Sequence, residues 1–190
     1  MNGQIDSDRE VGIYTAYVRI AEVWYFLPAA VVSSVFPNIV RAREVDEQEF
    51  YGRLQKLYNL LAFMGYAVAV PVTFAAGFVV NVLFGKDYTA AGPMLALLIW
   101  AGLFANLAVA RNAYLLAMNW SRTLFGMVLA GAVVNVVLNL ILIPLYGGMG
   151  AVIASCISYW FAAHGACYFY APLRRTGQMI TRALVCPKFW

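Results

Sequence analysis

Charge is what this chain has least of. Only 12% of its 190 residues are Asp, Glu, Lys or Arg, while 63% are hydrophobic and the mean hydropathy is +0.73. Soluble domains carry about 25% charged residues, so that balance excludes an ordinary soluble globule and defines a membrane protein. Histidine is nearly missing too, with His164 standing alone in an apolar run and no carboxylate or cysteine at metal spacing. It reads as packed or hydrogen-bonded. The three cysteines, Cys156, Cys167 and Cys186, form no CxxC pair and read as small apolar residues. There is no HExxH, no P-loop, no dinucleotide fingerprint and no nucleophile beside a base. Soluble-domain catalysis is therefore unsupported, and no cofactor or metal is implied. A lipid-processing enzyme is disfavoured because Asp46, Glu47 and Glu49 belong to an ordinary charged loop, away from the histidine.

What is present is a series of long apolar runs, each of the length a bilayer demands, about 20 residues. The opening "MNGQIDSDRE" holds three acids and one arginine, which fits neither a signal nor a transit peptide. Insertion is expected from the spans themselves. Spans are predicted at 11–40, 57–83, 93–118, 124–143 and 151–170, forming a transmembrane bundle over 1–172. The first exceeds a bilayer's thickness and is expected to tilt or kink near Pro28. The charged stretch "RAREVDEQEFYGRLQK" reads as an interfacial loop and a solvated helix start. Residues 173–190 read as a cytoplasmic amphipathic tail. Continuous runs of this length oppose a transmembrane barrel, whose strands alternate with period two. The expected fold is all-α, a polytopic bundle of about five spans.

Counting cations on the two sides gives an orientation. Arg41, Arg43, Arg53, Lys56, Arg122, Arg174, Arg175, Arg182 and Lys188 share one side, against Arg9 and Lys86 on the other. The basic side, with the C-terminus, is expected in the cytoplasm and the N-terminus outside. The net charge of +4 then expresses topology, and no nucleic-acid partner is required.

Polar groups within the spans are the candidate site residues, because each is costly at membrane depth. Arg19 and Glu22, three apart on the first span, can pair as a structural ion pair or serve transport. Arg111 lies near the end of the third span, where it can snorkel to the interface or offer a planar fork of donors to a phosphate. Asn135 and Asn139 share a helix face with Gly131, either bonding to a neighbouring helix as packing glue or lining a polar cavity for a sugar. The fifth span bears small residues at every fourth position, Gly150, Ala154, Ser158, Ala162 and Ala166, a seam for close helix approach. Pro144 is expected to end the fourth helix, and the glycines of "GGMG" to permit a tight reversal.

Three stretches, in order, resemble bacterial polysaccharide flippases of the O-antigen and exopolysaccharide type, within the multidrug/oligosaccharidyl-lipid/polysaccharide exporter superfamily. They are "REVGIYTAYVRIAEVWYFLPAAVVSSVFPNIV", "LFGKDYTAAGPMLALLIWAGLF" and "NVVLNLILIPLYGGMGAVIAS". The resemblance runs along nearly the whole chain and fails in the tail. It implies part of the second lobe of a two-lobe transporter in the bacterial inner membrane, moving an undecaprenyl-pyrophosphate-linked oligosaccharide between leaflets. Arg19 and Arg111 would contact the pyrophosphate or acidic sugars, with Glu22 holding Arg19, and Asn135 and Asn139 would serve the sugar or lobe packing. Membrane lipid, the lipid-linked oligosaccharide and a separate N-terminal-lobe chain are the partners this implies. One lobe alone is expected to be inactive, because alternating access needs two bundles. The alternatives are a transport-inactive structural fragment, or half of a lipid II or drug exporter of the same superfamily.

Overall fold

A computed structural model describes residues 26–85 and 92–186. Six helices account for most of that length and no strand occurs among the described residues: α1 (Phe26–Val45), α2 (Glu47–Phe84), α3 (Gly92–Ala117), α4 (Ser121–Tyr146), α5 (Gly148–Ala163) and α6 (Arg174–Val185). Four segments, Glu47–Val82, α3, α4 and Gly148–Tyr168, are long and apolar enough to cross a membrane. The architecture is an all-α polytopic bundle. Of the first expected span, only the part from Phe26 is described, with Pro28 in its first turn. The stretch in which a kink was expected extends outside the described residues.

The charged stretch expected as an interfacial loop and a solvated helix start is helical on both sides of a single residue. Asp46 adopts an extended backbone (φ −153°, ψ 127°) and its carboxylate accepts from the Gln48 N–H at 2.9 Å. A side-chain acceptor at that position satisfies one of the N–H groups left over at a helix start. Glu47 and Glu49 in the first turn favour the positive end of α2's dipole. Helix α2 therefore starts ten residues before its apolar run, and its 38 residues extend about 57 Å at 1.5 Å per residue. That exceeds a hydrocarbon core of about 30 Å, so one end stands outside it.

Successive long helices run antiparallel. Phe50 near the start of α2 packs on Tyr114 near the end of α3, and Gly77 meets Gly92 at the other end. Helix α4 continues through Pro144 to Tyr146 instead of ending at the proline. In the last turn a proline removes only its own N–H, and two further residues complete the helix. The reversal itself takes one residue, Gly147, at φ +56°, whose N–H donates to the Ile143 carbonyl at 2.8 Å. Gly150 then lies against the Leu142 carbonyl, where a Cβ has no room. Only Met127 and Gly131 of α4 are buried, leaving Phe125, Val133 and Leu140 exposed. A helix apolar all round suits lipid contact.

The last expected span, 151–170, breaks early. Helix α5 ends at Ala163, and 3-10 turns at Gly165–Tyr168 and Ala171–Leu173 lead into α6. The tail is not free: α6 buries Met179, Ile180 and Ala183 in one core with Leu54, Tyr58 and Leu61 of α2. It runs parallel to the first half of α2. Arg175 reaches Glu47 at 3.4 Å, Gln55 Nε2 donates to the Met179 carbonyl at 3.0 Å, and the Tyr66 hydroxyl donates to the Leu184 carbonyl at 2.8 Å.

Candidate functional site

Asn135 and Asn139 face α5 from α4. Asn139 Nδ2 donates to Asn135 Oδ1 at 3.0 Å and to its carbonyl at 2.9 Å. Asn135 Nδ2 donates to Ser158 Oγ at 3.0 Å, and that hydroxyl donates to the Ser155 carbonyl at 3.0 Å. The four links form one directed chain across the α4–α5 seam. It is possible because the small-residue stripe of α5 lies against α4: a Cβ on Gly131 would come within 2.6 Å of the Ala162 Cβ. Such close approach in lipid comes from packing, with polar pairs adding about 0.6–2 kcal/mol each.

Arg111 lies at the next turn of the same seam. Its side chain is 1% exposed. Nη1 donates to the Ala162 carbonyl and Nη2 to Asn112 Oδ1 at 2.6 Å, while Nε is sealed without a partner among the described residues. The guanidinium is sealed among the described residues and does not snorkel. Ala162 belongs to the last turn of α5, where carbonyls lack intrahelical donors. A cation there answers both the missing hydrogen bonds and the negative end of the helix dipole. Tyr58 and Cys167 are near enough to feel its charge. Arg111 and Asn135 thus converge on successive turns of α5, at Ala162 and Ser158. Arg19 and Glu22 lie outside the described residues.

His164 belongs to a different network. Thr181 Oγ1 donates to the Gly177 carbonyl at 2.9 Å, so His164 Nε2 at 2.8 Å and the Tyr168 hydroxyl at 2.7 Å must both donate to it. The two bonds tether α6 to the end of the fifth span.

Two buried amides escaped the sequence reading, Asn59 on α2 and Asn106 on α3. Each is a lone amide in an apolar run, the same signal that marks Asn135 and Asn139. Asn106 Oδ1 has no partner among the described residues. It lies beside an apolar crevice of about 280 Å³ shared with Pro28 and Leu103. No group of His, Cys, Asp and Glu that could hold a metal occurs among the described residues.

The fold and its polar seams define a multi-pass membrane protein whose intramembrane polar groups mostly bond to each other. No protein-family model matches the chain, and no solved structure matches it. Among curated proteins it is similar to two of Haloferax volcanii: "Probable flippase AglR", 31% identical over 159 residues, and "Probable low-salt glycan biosynthesis flippase Agl15", 23% identical over 153 residues. Each alignment covers 78% of this chain and 32% of the relative. The chain therefore spans about a third of the length of the curated relatives it matches. Both are archaeal, so the likeness to bacterial O-antigen flippases widens to flippases of glycan biosynthesis in general.

Proposed function

We propose that this chain forms one helical bundle of a flippase that moves a lipid-linked oligosaccharide between membrane leaflets during glycan assembly. The observation that carries the reading is the 31% identity to a flippase along most of the chain. The physics supports it, since an anionic head group crosses hydrocarbon only along a path of fixed polar groups. The carrier we assign is undecaprenyl pyrophosphate, following the family resemblance, with the basic end of the bundle in the cytoplasm.

Within this reading Arg19, held by Glu22, is the cation assigned to the pyrophosphate. Arg111, Asn135 and Asn139 hold α3, α4 and α5 together as a single body that moves during rocking. Alternating access requires a second bundle, so the chain works with the rest of a longer polypeptide or with a separate chain. The experiment is a leaflet-access assay in liposomes carrying a fluorescent lipid-linked glycan. The chain alone leaves the label as protected as in protein-free vesicles, and the complete two-lobed protein exposes it. Protection by the complete protein, or exposure by the chain alone, overturns the reading.

A further inference from the structure

The seam between α2 and α6 is a groove whose chemistry belongs to neither the packing nor the proposed translocation path. It consists of two adjoining cavities, of about 770 and 450 Å³, that share Gln55, Gln178 and Arg182. On the α6 side Arg175, Gln178 and Arg182 recur at helical spacing and form its outward stripe. Arg175 is engaged, stacked 3.3 Å over the Tyr51 ring and paired with Glu47. The guanidinium of Arg182 and the amide of Gln178 pair with no group among the described residues.

On the α2 side Gln55 is fixed by its bonds to Asn59 Oδ1 and the Met179 carbonyl, which holds the groove's two walls at a set distance. One turn before it sits Gly52, exposed in the second turn of α2, where an added Cβ would meet nothing within 4 Å among the described residues. A glycine there costs about 1 kcal/mol against alanine, and no packing among the described residues requires it. Its missing side chain leaves the floor of the groove open.

The groove also changes character along its length. Towards the centre of the bundle its polar residues give way to Val185, exposed and apolar, beside the ring of Tyr168. Cations and amides followed by apolar surface is the profile of a lipid molecule, head group first. The cations Arg41, Arg43, Arg53, Lys56, Arg122, Arg174, Arg175 and Arg182 all lie at this end of the bundle, and the leaflet facing such residues is the one rich in anionic lipid.

We propose that the α2–α6 groove binds the phosphate head group of an anionic glycerophospholipid, with Arg182 and Gln178 on the phosphate and the acyl chains along Val185 and Tyr168. The site uses none of the residues assigned to the glycan and holds whether or not the flippase reading does.

The test is native mass spectrometry of the purified chain in zwitterionic detergent, with added phosphatidylglycerol, phosphatidylcholine or inorganic phosphate. Phosphatidylglycerol is expected to be retained about fivefold more than phosphatidylcholine, the ratio one arginine supplies at a membrane surface. Arg182→Gln should lower that retention about fivefold and abolish the preference over phosphatidylcholine. Gly52→Trp should lower it as well, by filling the groove with no change in charge, while circular dichroism shows the helices intact. Equal retention of the two lipids, wild-type retention by both variants, or displacement of phosphatidylglycerol by inorganic phosphate overturns the proposal.

Discussion

The guanidinium of Arg111 on α3 donates to the main-chain carbonyl of Ala162 in the last turn of α5. A buried cation with no carboxylate beside it among the described residues is ordinarily a functional signal. Here the end of a helix supplies the negative partner, and the residue's burial fits that role better than contact with a substrate.

Replacing Arg111 therefore tests structure against function. Arg111→Met keeps the apolar stem but leaves the Ala162 carbonyl without a donor, a loss of about 1–3 kcal/mol. Reversible unfolding in mixed micelles, followed by circular dichroism, should show it. A buried charge kept for a ligand instead leaves the variant as stable as the parent or more so.

The amide chain across α4 and α5 predicts coupling between Asn135 and Ser158. In a double-mutant cycle, Asn135→Ala and Ser158→Ala should couple by about 0.6–1.7 kcal/mol. Strict additivity in the same unfolding assay contradicts the bond.

Gly131 and Ala162 test the close approach of the same helices. Gly131→Ala forces a methyl group against the Ala162 Cβ and should cost about 1–3 kcal/mol, the range for overpacking. Adding Ala162→Gly should restore most of the loss. If the single variant unfolds like the parent, α4 and α5 are further apart than described.

The tether of α6 predicts a local effect. Thr181→Val removes the acceptor shared by His164 and Tyr168 and should raise hydrogen exchange in Arg174–Val185 well above that in α3. Unchanged protection of α6 means the apolar contacts of Met179 and Ile180 hold it alone.

How much of this was legible beforehand follows from what hydropathy can register. Apolar runs locate the spans, yet α2 starts at Glu47, because a helix continues beyond the bilayer wherever a cap such as Asp46 starts it. The pattern Asp46-x-x-Glu49 stands in the sequence and marks that start. The end of α5 is hidden for the opposite reason: residues 165–170 stay largely apolar while the backbone tightens into 3-10 turns. Asn135 and Asn139 can be read as one face, and Ser158 as part of a small-residue stripe, but their bond exists only once the two helices are side by side. Arg111's acceptor is a main-chain carbonyl, which no side-chain pattern announces. The α2–α6 groove brings together residues more than 120 positions apart.

Both the glycan path and the lipid site depend on a bundle that crosses the membrane with its cationic end in the cytoplasm. Ser121, exposed, starts α4 at that end, and Tyr146, exposed, closes the same helix at the other. Intact cells producing the complete protein, with Cys186 replaced by serine, are treated with a membrane-impermeant maleimide, comparing a Ser121→Cys with a Tyr146→Cys variant. The account predicts that position 146 is labelled at once and position 121 only after the membrane is permeabilised; labelling of position 121 from outside contradicts it.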